Sequence, residues 1–492
     1  MQKSLMALSD ISTTPPSNPE NQKASTLRRS LSAWQLIFLT LSATTPLAGV
    51  VGLMPLSFAF GAGAGMALSF VVLTILLVVF SVGYVAMSRE TPDAGSFYNY
   101  IANGFGAVIG LGSAYVAILS YIALYCGVLA YIGFYSATLI EDYVGIQIPW
   151  FVFTLTEALI ISALGRRGID FNSKIVGLIV LGEFLIVMAL DFGILAKHGI
   201  AALPVQAMDW RTGYGAGAGI SLMLGFTCYA GFEAAVLFSE ETIRPERNVA
   251  IATFGSVILI GLLFGLTAWL TVGAVGLPAI REMAVTQGGE MYFTLSGEIL
   301  GHFASSLARL LMVTSLFAAA VAGHNISARY LMILGRRHCL PAALGSIHPR
   351  HGSPHVASLT VTILALAAIG ACFAMGADPI TGIGAATIGL ATLGIIALQS
   401  LTSLAVIAYF RRCSRLTWWE TGLAPLLGFA GLAVVFVLAI TNFDLLTGSS
   451  DALIHAIPYA IAPVFLAGIL YAIWLRRARP SAYRALAPTA SA

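Results

Sequence analysis

The sequence predicts an all-α membrane protein with about twelve transmembrane helices. Three observations carry this. Hydrophobic residues make up 58% of the 492-residue chain. Charged residues make up only 10%, against about 25% in a soluble domain, so most of the surface has to face lipid. Apolar segments recur along almost the whole chain, each near the roughly 20 residues that a helix needs to cross the hydrocarbon core.

Taken in order, the segments lie at 33–60, 63–88, 105–138, 149–165, 171–195, 214–240, 248–276, 301–335, 355–376, 379–410, 418–441 and 455–475. The fourth is short. The third, eighth and tenth are long enough to tilt. The amphipathic stretch 281–300 is expected on the surface between the seventh and eighth spans. Residues 1–32 are polar and rich in Ser, Thr, Pro and Asn. They read as a disordered cytoplasmic tail, since they lack the short apolar core of a signal peptide. Spans one to five (33–195) and six to ten (214–410) form two groups. Residues 418–475 add two helices, and 476–492 form a second cytoplasmic tail.

Orientation follows from Lys and Arg. With the N-terminus inside, the inner loops hold Arg89, Arg166, Arg167, Lys174, Arg244, Arg247, Arg336, Arg337, Arg350, Arg411, Arg412 and Arg415, while the outer loops hold only Lys197, Arg211 and Arg281. Both termini are therefore expected in the cytoplasm, with the chain in the cell (inner or plasma) membrane.

Composition also narrows the chemistry. A net charge of +3 is too small to point to nucleic acid. Cys126, Cys228, Cys339, Cys372 and Cys413 share no CxxC spacing and read as packed thiols. His338, His348, His351 and His355 fall around one inner loop without the spacing of a tight metal site. No metal or cofactor is expected. HExxH, GxSxG and P-loop patterns are absent, so neither an enzyme nor an ATP-driven pump is indicated. A channel would show a filter or a ring of like charges, and neither is visible.

Two spans are interrupted in the middle. The first reads Leu41-Ser-Ala-Thr-Thr-Pro-Leu-Ala-Gly-Val-Val-Gly52. Pro46 removes a backbone donor, and Gly49 and Gly52 weaken the helix around it. The sixth reads Gly225-Phe-Thr-Cys-Tyr-Ala-Gly-Phe-Glu233. Gly and Pro are common in membrane helices and can produce mere kinks. Breaks at matching places in two groups of five spans instead point to a site between inverted repeats. Unwound backbone at membrane depth needs protein or water to satisfy it, and it exposes helix ends that attract a carboxylate or an ammonium. The predicted carboxylate cradle is the stretch from Ala48 through Gly49 and Val50 to Gly52, preceded by Thr45. The predicted ammonium ligands are carbonyls near Ala43, Thr44, Phe226 and Cys228. Tyr229 and Phe226 are expected to line the pocket, beside Gly231, with Tyr121 and Tyr125 of the third span facing the same space.

The stretch Phe226 to Glu233, followed by Glu240-Glu-Thr-Ile-Arg-Pro-Glu-Arg-Asn248, resembles the sixth-span signature of the amino acid–polyamine–organocation permeases. Pro92-Asp-Ala-Gly-Ser-Phe-Tyr98 with Gly104-Phe-Gly106 is similar to the family's segment after span two. Arg329, Leu340-Pro341 and His348 to Pro354 are similar to its loop after span eight. The resemblance covers about 33 to 475. It implies a five-plus-five inverted-repeat fold, shared with the sodium-coupled leucine transporter, with two added helices. It also implies alternating access and small-molecule substrates among amino acids and amines. Span one departs from the family's common Gly-Ser-Gly-like turn: here it reads Thr45-Pro46 and then Ala48-Gly49-Val50.

By the same resemblance Glu233 occupies the family's sixth-span Glu. An ionised carboxylate there costs about 3 kcal/mol or more unless paired or protonated. It reads either as a coupling residue or as a buried cap on exposed backbone. Glu183, in Leu181-Gly-Glu-Phe-Leu, lies near a position where some members carry a Lys. It reads either as a proton or amine acceptor or as a packed structural acid. His324 in span eight suits proton transfer, though it also suits a plain helix contact. Glu157 and Asp191 read as structural, and Arg309 as paired with an acid or reaching outward. The leading functional expectation is alternating-access uptake of an amino acid or amine, coupled to a cation, H+ by preference. An exchanger would show much the same residues.

Overall fold

The structure, a computed structural model, describes residues 29–91, 96–167, 169–213, 217–412, 417–443 and 456–486. The expected tail up to residue 28, residues 92–95 of the second motif, Cys413, Arg415 and residues 487–492 lie outside them.

The described residues are mostly helical and form no strand, apart from one isolated bridge between Leu31 and Thr242. Among the described residues, eleven helices are long and apolar enough to cross a membrane. The fourth in order, Trp150–Gly165, has 16 residues. At 1.5 Å per residue it covers only about 24 Å, which is why it falls short as a span by itself. The third, Ala107–Val144, is the longest at 38 residues and packs against the eighth, tenth and twelfth helices. Gly145 in the left-handed region ends it. Between the seventh and eighth spans the amphipathic stretch folds as two short helices, Ile280–Gln287 and Glu290–Leu300. Beyond the last span a further helix, Pro480–Leu486, falls in the stretch expected as a tail, and Leu486 is buried there.

An exposed apolar flank runs round the bundle, including Leu178, Leu185, Ile363 and Leu470. Water does not tolerate so continuous a surface, and lipid does. The interior is also mainly apolar, with buried polar residues such as Glu183, Glu233 and Gln399 set within it.

The two interruptions are present. The first span runs as Ala33–Thr44, started by a Ser32–Gln35 capping box. Thr45 then turns left-handed at φ 44°, and the helix resumes at Pro46. A π turn over Gly49–Leu53 leads into Met54–Phe60. The sixth span runs as Ala218–Thr227, opens into turns, passes Gly231 at φ 111° and closes as a tight helix over Phe232–Glu241. These are the first and sixth spans in order, and they meet where Gly231 lies against Ala43. The chain is therefore an all-α five-plus-five membrane bundle with two further helices.

Candidate functional site

A cavity of about 260 Å³ lies where the interrupted spans meet. The first span contributes Ala43, Thr44, Thr45, Ala48, Gly49 and Gly52, then Leu53, Leu56 and Phe60. The sixth contributes Thr227 and Ala230. Leu124, Val128, Tyr131 and Tyr135 of the third span form one wall, with Met312 and Leu316 of the eighth and Ile380, Ala385 and Ile388 of the tenth opposite. Phe60, which lines one end of the cavity, is partly exposed.

The other end is closed. The Arg329 guanidinium donates to both carboxylate oxygens of Glu241 at 2.8–3.2 Å, and both residues are buried. Arg329 also lies over the Phe238 ring, 4.4 Å from its centroid. The Ser30 and Leu31 N–H groups donate to the Glu241 carbonyl at 2.8 and 2.9 Å. Arg336 pairs with Glu240 at 3.1 Å. The segment before the first span, the end of the sixth and the eighth are thus tied together on that side.

Six of the predicted binding residues line the cavity: Ala43, Thr44, Thr45, Ala48, Gly49 and Gly52. Val50 does not. It turns to the opposite face, beside Leu47 of its own span and Ile186, Val187 and Leu190 of the fifth. On the sixth span the predicted side chains face away, and their neighbours face in. Phe226 is fully buried. Cys228 packs into its own helix, Sγ near the Leu224 carbonyl. The Tyr229 hydroxyl pairs with Thr74 at 2.7 Å. Gly231 lies against Ala43. Thr227 and Ala230, between the expected positions, are the ones that line the cavity. The swap falls where the helix ends at Thr227 and opens into turns, so the facing of residues 228–231 is set by the turn and not by a helical period.

Tyr121 and Tyr125 also face elsewhere. The Tyr121 hydroxyl donates to Glu233 Oε1 at 2.6 Å, and Tyr125 meets His324 edge-on at 5.3 Å. The wall is instead the stripe Leu124, Val128, Tyr131 and Tyr135, whose spacing of three and four residues was readable as one helix face. Met312, Leu316, Ile380 and Ile388 carried no chemical signal in the sequence.

The predicted carboxylate cradle is arranged differently from expectation. The helix restarts at Pro46, so its free end is at residues 46–48 and not 48–52. The Gly49 N–H already donates to the Thr45 carbonyl at 2.8 Å, and the Met54 N–H to Gly49. The Phe226 carbonyl accepts from the Tyr229 N–H at 2.9 Å, which leaves it one lone pair.

Both predicted coupling acids are fully buried, and neither lines the cavity. Glu183 Oε2 accepts from the Leu47 N–H at 3.2 Å and from Ser315 Oγ at 2.6 Å. It therefore links the fifth span to the break in the first and to the eighth. Its other oxygen is buried without a hydrogen-bond partner among the described residues. Glu233 reaches back to cap the break in its own span, accepting from the Gly231 N–H at 3.1 Å. Tyr121 and Gln399, the latter at 3.4 Å, complete its contacts. Among the described residues no cluster of His, Cys, Asp or Glu could hold a metal. Arg309 pairs with Glu290, and His324 Nε2 lies 3.1 Å from the Ser358 carbonyl.

Comparison with known proteins places this architecture. The amino acid permease family matches residues 31–482. The vacuolar cationic amino acid transporter 8 of Arabidopsis thaliana is 22% identical over 353 residues, covering 69% of this chain and 57% of that protein. The chain thus spans little more than half the length of that relative. The low-affinity putrescine importer PlaP of Escherichia coli (strain K12) is 23% identical over 360 residues, covering 70% and 75% respectively. The branched-chain amino acid permease BcaP of Bacillus subtilis (strain 168) is 21% identical over 352 residues, covering 68% and 72%. With a match across nearly all of its helices, the chain belongs to the amino acid permease family, within the amino acid–polyamine–organocation superfamily.

Proposed function

We propose that this chain is a secondary active permease that takes up an amino acid or amine by alternating access, coupled to protons through Glu183 and Glu233. One observation carries the reading. Two interrupted helices line one cavity, and a buried acid is fastened to each interruption, Glu183 at Leu47 and Glu233 at Gly231. Movement of either break alters the surroundings of its acid. That ties substrate position to proton occupancy without any direct contact between the two.

The relatives support the substrate range, since their names cover cationic amino acids, putrescine and branched-chain amino acids. The two groups of five spans act as the repeats that rock against each other. The end closed by Arg329 and Glu241 faces the cytoplasm of a cell membrane, with both termini on that side. The Lys and Arg asymmetry supports this orientation.

Uptake into proteoliposomes tests the function. Accumulation driven by an inward proton gradient, and lost when the gradient is collapsed, is the expected outcome. Uptake that needs an internal amine or amino acid and ignores the gradient would instead make the protein an exchanger.

A further inference from the structure

We propose that the cavity selects a monoamine with an apolar body over the corresponding α-amino acid, because Glu183 already occupies the helix end that a substrate carboxylate would use. This rests on the permease reading above and narrows its substrate class.

No Arg, Lys or His lines the cavity among the described residues. A carboxylate there has only backbone N–H groups and hydroxyls to bind. The restart of the first span is the natural place, since a helix leaves its first N–H groups unpaired and carries about half a positive charge at that end. Here those donors are largely gone. Pro46 has no N–H. The Leu47 N–H donates to Glu183 Oε2, and the Gly49 N–H to the Thr45 carbonyl. Of residues 46–49, only Ala48 keeps an N–H outside these assignments. Ser315 Oγ donates to the same Glu183 oxygen at 2.6 Å, so the internal carboxyl is held on two sides. A substrate carboxylate would have to displace it, or share a buried helix end with it.

An ammonium fares better. The first half of the first span ends at Thr44 and the first half of the sixth at Thr227, and both residues line the cavity. Each helix C-terminus leaves carbonyls outside its ladder and carries about half a negative charge. Two such ends match one positive charge. The Thr227 carbonyl already accepts from the Ala230 N–H, but a carbonyl has a second lone pair. The hydroxyls of Thr44, Thr45, Tyr131 and Tyr135 add acceptors at the wall.

A second ammonium has no such partner. No Asp or Glu lines the cavity among the described residues, and an unpaired buried charge is costly. The remaining wall, with Leu124, Val128, Leu316 and Ile388, suits an aliphatic or aromatic body.

The test pairs amino acids with their decarboxylated amines. Purified full-length protein is titrated with leucine against isoamylamine and with phenylalanine against phenethylamine, and putrescine is added as the dication. Uptake of each is then measured in proteoliposomes. Each monoamine is expected to bind at least about tenfold tighter than its amino acid, a difference of about 1.4 kcal/mol, and tighter than putrescine. Amino acids binding as well as their amines, or putrescine binding best, would overturn this inference while leaving the permease reading intact. Failure of every compound to bind and to be taken up would overturn both. In Glu183→Gln the amine-to-amino-acid ratio should fall at least threefold, and Ser315→Ala should move it the same way by less. A ratio unmoved in both, with folded protein, would remove Glu183 from the selection.

Discussion

Gly231 of the sixth span and Ala43 of the first lie in direct contact, so the two helix breaks touch at one point. Gly231 stands at φ 111°, and a Cβ added there would overlap the Ala43 side chain. No other residue type fits both demands. Gly231→Ala is expected to destabilise the protein by about 1–3 kcal/mol, seen as a lower midpoint of thermal unfolding in detergent. An unchanged midpoint would mean that the breaks are free to separate.

Gly52 is the opposite case. It lines the cavity, and a Cβ built there meets nothing within 4 Å. Gly52→Leu should leave stability nearly unchanged, fill part of the cavity and lower substrate affinity at least about tenfold, by removal of room alone. Equilibrium binding together with a melting curve separates the two effects. Full affinity in a folded Gly52→Leu protein would place the substrate elsewhere.

Glu233 holds Gly231, Tyr121 and Gln399 but does not line the cavity. Glu233→Gln keeps the shape and removes the exchangeable proton. Net uptake is expected to slow by about 10²-fold, within the usual range for loss of a proton-transfer group, while substrate affinity changes by less than about threefold. Rates measured under a proton gradient, beside binding constants, check this. Wild-type rates would leave Glu233 as a structural cap.

The Arg329–Glu241 pair is buried on both sides. Removal of one partner leaves a lone charge in the core, which costs about 3–5 kcal/mol, while replacement of both is often nearly neutral. Arg329→Met should therefore lower the unfolding midpoint sharply, and Arg329→Met with Glu241→Gln should recover most of it. Because the pair closes the end opposite Phe60, the double variant should also expose that end to thiol labelling at an introduced cysteine, such as Phe238→Cys. A single variant as stable as the wild type would contradict the buried pairing.

Composition and spacing gave the all-α class, the order of the apolar segments and the existence of both breaks; of the twelve expected spans, eleven are long enough to cross among the described residues and the fourth is a helix of 16 residues. These follow from local physics: lipid demands apolar helices of fixed length, and Pro and Gly weaken a helix wherever they sit. Thr44, Thr45 and Gly49 were identifiable as cavity residues because they surround the break itself. The facing of the sixth span was not legible. Thr227 and Ala230 replaced Phe226, Cys228 and Tyr229 because helix rotation is set by packing against the second span, through Thr74 and Phe70. The partner of Glu183 was equally hidden. Its hydrogen bonds to Leu47 and Ser315 join residues separated by more than a hundred positions, and nothing local in the chain marks such a contact. Only the tertiary structure brought that acid to the helix end, and it did so because a free N–H in a water-poor core takes the nearest acceptor the fold supplies.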